Sequence, residues 1–392
     1  MRRRDNRSSL SVHGGERGRK LADALAVPIV QTATFSFETS REVRAYQEEA
    51  VKTRFEYGRY GTPTQQALET RLQAIYGAED ALVTSSGMAA VTDTFLALLK
   101  GGDHLVMTSE SYRRTRNFCE NVLTRFGVRL TFAEPVADSI VAAINRRTRA
   151  VFVEIPTNPH LYVPDVPRIA AATKKLGIPL IVDPTIAGPF NADPIGMGAD
   201  LVILSLTKYL AGHNDVIGGA VLGRRNLLTP VREYHGTAGT LLPPLAAYLI
   251  LRGIKTVALR MDRQNRNAET VAKFLEEQPN VRRVYYPGLA SHPHHEVASR
   301  LLRGCGGVVS FRLNSNLKGA ERFLDRLRIF RIAPSLGGVE SLAELVATMS
   351  FWDRTRQQRR HLDIPDDLVR LSVGIEDADD LVADLNRALK SV

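Results

Sequence analysis

Asp200-Leu201-Val202-Ile203-Leu204-Ser205-Leu206-Thr207-Lys208-Tyr209-Leu210-Ala211-Gly212 is the stretch on which the reading of this chain turns. An apolar run of strand character delivers two hydroxyls and a lysine, and a glycine-rich turn follows, with Gly212, Gly218 and Gly219. Upstream, Ile178-Pro179-Leu180-Ile181-Val182 is a second apolar run, and it ends in Asp183. Ser205 and Thr207 are placed to hydrogen-bond a phosphate. A lysine loses its proton when it is desolvated beside other cations, and it then attacks aldehydes. An aspartate pairs with a protonated ring nitrogen. Lysine, aspartate and phosphate hydroxyls at strand ends are together what pyridoxal phosphate (PLP) requires.

Working outward, Ala81-Leu82-Val83-Thr84, His104-Leu105-Val106-Met107, Arg129-Leu130-Thr131-Phe132 and Ala150-Val151-Phe152-Val153-Glu154 are further short apolar runs. Helical patterns separate some of them: Gln65 to Tyr76, apolar at Leu68, Leu72 and Ile75, and Gly87 to Leu99. Continuous apolar strands alternating with helices predict an α/β fold with a mostly parallel central sheet flanked by helices. Ligands collect at the carboxyl ends of such strands. Glu154, Asp183 and Ser205 to Lys208 all fall at or just beyond predicted strand ends.

From about Leu245 one long helical stretch is expected, Ala246 to Gln278. Strand runs follow at Gly307 to Arg312 and Leu368 to Val373, which predicts a smaller C-terminal α+β domain. Residues 1–60 read as an irregular arm, polar from Arg4 to Arg19, with short extended pieces at Val27 to Val30 and Thr32 to Phe35. The expected division is an arm at 1–60, a large PLP-binding domain at 61–245 and a C-terminal domain at 246–392.

Composition narrows the classes. The 392 residues are 44% hydrophobic and 24% charged, ordinary for a soluble globular protein. No apolar stretch approaches the roughly 20 residues that cross a bilayer. The basic start, Met1-Arg2-Arg3-Arg4, leads into no apolar segment of a secretory signal. Cys119 and Cys305 are the only cysteines and read as free thiols in a reducing cytoplasm. The net charge of +10 is scattered over predicted helices, and its densest cluster, Arg354, Arg356, Arg359 and Arg360, has no nucleic-acid reader motif. Neither a membrane nor a nucleic-acid partner is expected. An anionic small molecule is the better use of the excess.

Ser85-Ser86-Gly87-Met88-Ala89-Ala90, between a strand and a helix, reads as a phosphate site at a helix N-terminus or as a plain serine cap. With it, the chain resembles the Cys/Met-metabolism family of PLP-dependent enzymes, fold type I, from about Ser11 to the C-terminus. The resemblance is carried by Tyr57-Gly58-Arg59-Tyr60-Gly61-Thr62-Pro63-Thr64, by Ser85 to Ala90, by Glu154-Ile155-Pro156-Thr157-Asn158-Pro159, and by Asp183-Pro184-Thr185. It continues through Ser205 to Gly219, Ser335-Leu336-Gly337-Gly338-Val339-Glu340-Ser341-Leu342 and Arg370-Leu371-Ser372-Val373-Gly374-Ile375-Glu376.

The resemblance implies the following roles. Lys208 carries the cofactor and moves protons between substrate carbons. Asp183 pairs with the ring nitrogen, with Thr185 beside it. Ser86, Gly87, Met88, Ser205 and Thr207 hold the phosphate, and Tyr57 and Arg59 reach it from a neighbouring subunit. Active sites are then shared in a homodimer, and a tetramer of two dimers is implied. Tyr112 stacks on the ring and assists proton transfer, and Asn158 sits near the ring's 3-oxygen. Ser335 and Arg370 bind the substrate carboxylate, which suits a fork-shaped guanidinium. His292-Pro293-His294-His295-Glu296 has metal-ligand spacing, but by the same resemblance these are packing and capping groups, and no metal is expected.

The chain departs from the family pattern at several positions. Pro184 and Thr62 each replace a common asparagine, Asn214 replaces a serine, and Phe351, followed by the sole tryptophan, Trp352, replaces a histidine. After Tyr112 the family has small residues, and this chain has Arg113 and Arg114. These two either bind an anionic substituent, for which Arg114 is counted among the substrate-binding residues, or turn away to pair with carboxylates. A cysteine found there in methionine γ-lyases is absent. Glu340 fits the pattern of γ-lyases and γ-synthases. The expected activity is γ-elimination or γ-replacement on a γ-substituted four-carbon L-amino acid, including a specialised substrate. The alternatives are a β-lyase on the same scaffold and a PLP-binding protein without turnover.

Overall fold

The computed structural model describes residues 6–16, 23–48 and 54–392. Residues 1–5, 17–22 and 49–53 of the expected arm lie outside them. Seven strands form the larger sheet: β1 (Asp80–Thr84), β2 (His104–Thr108), β3 (Arg129–Ala133), β4 (Thr148–Glu154), β5 (Leu180–Asp183), β6 (Leu201–Ser205) and β7 (Gly219–Gly223). Their spatial order is β1-β7-β6-β5-β4-β2-β3, and only β7 runs against its neighbours. The sheet is therefore mostly parallel, as the apolar runs predict.

Both faces of this sheet are covered, and the alternation along each strand shows it. Leu180 and Val182 face one core with Val151, Val153, Leu68 and Leu72, while Ile181 faces the other with Phe152, Met107 and Phe95. These side chains are essentially fully buried. A strand buried on both faces has no polar alternation to show, and this is why it reads as a continuous apolar run.

The second sheet contains β8 (Val281–Tyr285), β9 (Val308–Leu313), β10 (Arg331–Ile332), β11 (Leu342–Leu345) and β12 (Leu368–Ser372), in the order β10-β11-β12-β9-β8. All its pairings are antiparallel except β10 with β11. The helices Leu317–Asp325 and Ala378–Leu389 and the far half of Val257–Glu276 cover one face, around Phe311, Phe323, Leu371 and Leu385.

The single long helix expected over Ala246–Gln278 is two helices, Pro244–Ile254 and Val257–Glu276. The break is a tertiary feature. The Gly253 carbonyl accepts from Arg260 Nη2 at 2.8 Å, and a side chain at Gly253 would collide with the Ala211 carbonyl. The apolar periodicity runs through the break, so it carried no signal. The second helix bridges the two cores: Val257, Ala258 and Met261 belong to the first, Ala268, Val271 and Leu275 to the second. The extended pieces at Val27 to Val30 and Thr32 to Phe35 form no strand, and among the described residues an isolated bridge pairs Thr34 with Tyr57. Among the described residues no helix is long and apolar enough to cross a membrane.

Candidate active site

Three adjacent parallel strands end at one edge. Glu154 closes β4, Asp183 closes β5 in register with it, and Ser205 closes β6. Antiparallel β7 then does something a purely parallel sheet would not. Its first residue, Gly219, pairs with both Thr84 of β1 and Ser205 of β6, so the ends of those strands lie on either side of it. A side chain at Gly219 would collide with the Ser86 carbonyl. That contact lays the Ser85-Ser86-Gly87 turn over Ser205.

Ser86 caps the helix Gly87–Leu98, its Oγ accepting from Ala89 N at 3.0 Å. The N–H groups of Gly87 and Met88 have no intrahelical acceptor and meet the positive end of the helix dipole. A Cβ on Gly87 would stand 2.9 Å from Ser205 Cβ. Thr207 Oγ1 accepts from Gly218 N at 3.0 Å, and Thr185 Oγ1 accepts from Ser205 N at 3.0 Å. The capping and phosphate readings of Ser86 are thus compatible: its hydroxyl caps, and the next two N–H groups stay free.

Lys208 projects into a cavity of about 480 Å³ that is also lined by Gly87, Tyr112, Asp183, Ser335, Glu344 and Arg370. Its Nζ donates to Ser335 Oγ at 2.8 Å. Burial, with the Arg370 guanidinium nearby, lowers its pKa to about 8, against an opposing pull from Glu344. Ser335 has φ 102°, a left-handed conformation that costs a non-glycine residue on the order of 1–3 kcal/mol. It offers its hydroxyl to Lys208 and its carbonyl to Arg370 Nη2 at 3.2 Å. Arg370 Nη1 donates to Asn158 Oδ1 at 3.0 Å. The second sheet therefore delivers the arginine, and the first delivers the lysine and the asparagine.

At the far wall stand two carboxyls, Glu154 and Asp183, without a cationic partner among the described residues. Burial raises Glu154 well above the usual carboxyl range, and neighbouring Asp183 adds to it. Asp183 is likewise raised by burial, although Thr185 N donates to its Oδ1 at 2.8 Å. Glu154 Oε1 accepts from Tyr112 N at 2.5 Å, which fixes the start of the helix Arg113–Asn121. Tyr112 as a whole is 48% exposed. A lysine of lowered pKa, an aspartate in want of a cation and a helix N-terminus fitted against two hydroxyls together suit a phosphorylated pyridine aldehyde.

Arg113 and Arg114 part company. Both line the cavity, but Arg113 Nη1 pairs with Asp353 Oδ2 at 2.6 Å, while Arg114 has no ion pair or hydrogen bond among the described residues. Phe351 is buried and lines the cavity, whereas Trp352 is 71% exposed outside it. Glu340 is outside the lining and accepts from Asn214 Nδ2 at 2.7 Å. Tyr57 and Arg59 are also outside it: Arg59 reaches the Gly236 carbonyl and lies over the Tyr57 and Tyr60 rings. His292, His294 and His295 bond the carbonyls of His160, Val163 and Pro287, a packing arrangement. Sequence reasoning assigned no role to Glu154, though its strand-end position was a usable signal. It missed Glu344 altogether, because that residue sits inside a strand the pattern does not reveal.

Residues 8–390 match the family model described as Cys/Met metabolism PLP-dependent enzyme. The chain is 44% identical over 389 residues to cystathionine gamma-synthase 1, chloroplastic, of Arabidopsis thaliana, covering 98% of this chain and 69% of that protein. It is 39% identical over 388 residues to cystathionine gamma-lyase of Bacillus subtilis (strain 168), covering 98% of this chain and all of the other. The crystal structure of metB from Corynebacterium glutamicum superposes with a TM-score of 0.92 at 38% identity, covering 99% and 98% of the two chains.

Proposed function

The chain belongs to the Cys/Met metabolism PLP-dependent enzymes, and from that premise we propose that it eliminates or replaces the γ-substituent of a four-carbon L-amino acid. One observation carries this most directly: Lys208 Nζ and Arg370 Nη2 meet on the same residue, Ser335, so a base lies beside a carboxylate anchor.

When bound, PLP supplies an electron sink for the pair left behind by a departing substrate proton. The rest is the work of the chain's own groups. With its pKa lowered to about 8, Lys208 has a neutral fraction near neutrality, so it can take a proton from Cα and then exchange one at Cβ. Loss of the Cβ proton is what lets a γ-substituent leave. Arg370 and Ser335 hold the α-carboxylate so that both protons face the same amine. Asp183, with Thr185 at its side, balances a ring cation. The N–H groups of Gly87 and Met88 and the hydroxyls of Ser86, Ser205 and Thr207 hold the phosphate. Tyr112 covers the ring, and Asn158 serves its 3-oxygen. Arg114 offers a free guanidinium to an anionic group on the γ-substituent or the incoming nucleophile.

Tyr57 and Arg59 lie away from their own cavity, which supports their reaching a neighbour's phosphate from the arm, residues 1–60. Under this reading the large domain spans 61–245 and the C-terminal domain 246–392. The chain works in the cytoplasm as a dimer with shared sites, doubled into a tetramer, and Glu340 acts near the substrate in that assembly.

The test is turnover of purified protein with O-acyl homoserines, cystathionine, methionine and halogenated amino acids. Activity on γ-substituted substrates that drops at least about 100-fold in Lys208→Ala is expected. Activity confined to β-substituted substrates would overturn the reading. Mixing inactive Arg59→Ala and Lys208→Ala subunits tests sharing: partial recovery of activity is expected, and none is obtained if each site is built from one chain.

A further inference from the structure

Glu344 is 1% exposed in the wall of the cavity, and its Oε2 has no hydrogen-bond partner among the described residues. Its position follows from strand register. Glu344 of β11 pairs with Arg370 of β12, which pairs with Ser310 of β9, so the three side chains lie on one face of the second sheet. Oε1 is engaged, ion-paired with Arg370 Nη2 at 3.2 Å and accepting from Ser350 Oγ at 2.9 Å. The other oxygen carries the uncompensated share of a buried charge. Buried polar atoms are ordinarily satisfied, and an orphan next to a ligand cavity calls for a reason.

The reason lies in Arg370. That guanidinium also donates to the Asn158 side chain and the Ser335 carbonyl, so two hydrogen bonds and one ion pair, from three segments, hold it in one orientation. Glu344 is the only charged member of the set. It orients the fork and at the same time offsets the positive charge that would attract a carboxylate. Resting on the reading of Arg370 as the carboxylate anchor, we infer that Glu344 is a positioning residue for Arg370 whose free Oε2 weakens the carboxylate site by charge.

The two parts of the inference pull in opposite directions, and this makes it testable. Glu344→Gln keeps an oxygen for Ser350 and Arg370, and it turns the orphan acceptor into a donor. Glu344→Ala removes the support. The probe is butyrate, which has the chain length and carboxylate but no amine to react. Its equilibrium binding is followed by ligand-observed NMR on protein with and without PLP. Expected results are binding at least threefold tighter in Glu344→Gln and at least threefold weaker in Glu344→Ala. Arg370→Ala is the control. If it leaves butyrate binding unchanged, the anchor reading itself fails. If it abolishes binding while Glu344→Gln weakens it as Ala does, or neither variant moves it, the inference about Glu344 fails alone. Should Glu344→Ala not fold, Ser350→Ala, which frees Oε1, takes its place with the same expected direction.

Discussion

Arg113 Nη1 stands 2.6 Å from Asp353 Oδ2, and this pair ties the first turn of the helix Arg113–Asn121 to the segment that carries Phe351 into the cavity. A second tie runs alongside, with Arg354 Nη2 at 2.7 Å from Asn117 Oδ1 and 3.2 Å from Glu120 Oε2. Of two adjacent arginines, one is therefore spent on holding the wall and the other is free to face a ligand.

For the Arg113–Asp353 pair, a double-mutant cycle on unfolding free energy with Arg113→Ala and Asp353→Ala should give a coupling of roughly 0.5–1 kcal/mol. The arginine is mostly covered and the aspartate is not, which keeps the pair near the upper end of the exposed-pair range. Additive effects of the two substitutions would mean the contact does not hold the segment.

Arg114→Ala should raise KM about tenfold for a substrate whose γ-substituent is anionic and leave KM for an uncharged γ-substituent within about twofold. A single charge-assisted hydrogen bond is worth about 1.5–3 kcal/mol, and the exposure of Arg114 argues for the low end. Equal changes for both substrates would show that Arg114 does not read charge.

Gly87→Ala places a methyl group 2.9 Å from Ser205 Cβ and 3.1 Å from its Cα. The turn cannot retreat, because the Ser86 carbonyl already abuts Gly219. A loss of stability of about 1–3 kcal/mol is expected, with weaker retention of PLP on dialysis. Unchanged retention would argue that this helix end does not hold the phosphate.

The carboxyl pair makes a prediction about pH. Burial raises Glu154 and Asp183, so the folded protein without PLP holds protons that the unfolded chain releases above about pH 4. The stability from these protonated carboxyls is present below the unfolded values and is lost as pH rises through the folded ones. Asp183→Asn removes part of that loss. In the absence of PLP its melting midpoint should exceed that of the parent near neutrality, and the gap should close as pH falls toward about 4. Adding PLP should stabilise the parent more than the variant. A gap independent of pH would mean that the raised carboxyls do not cause it.

How much of this was legible beforehand follows from what each residue answers to. The strands of the large sheet could be read because burial on both faces demands unbroken apolar runs, and Asp183, Ser205 and Lys208 could be read because they punctuate those runs. β7 could not: Gly219 to Gly223 begins and ends in glycine and reads as a turn, and only its pairing with β1 and β6 makes it a strand. β11 was hidden for a related reason, since Glu344 interrupts its apolar pattern and is tolerated there only because Arg370 lies opposite.

The sequence alone determined the parallel strands of the larger sheet, the cofactor and the strand-end position of Lys208, because these depend on local pattern and residue type. Tertiary structure decided how the residues divide their work. Arg113 and Arg114 are chemically identical neighbours that both line the cavity, and only the approach of Asp353, from a distant part of the chain, ties up one guanidinium and leaves the other without an ion pair among the described residues. Charge pairing is a matter of distance in space, and spacing along the chain does not encode it.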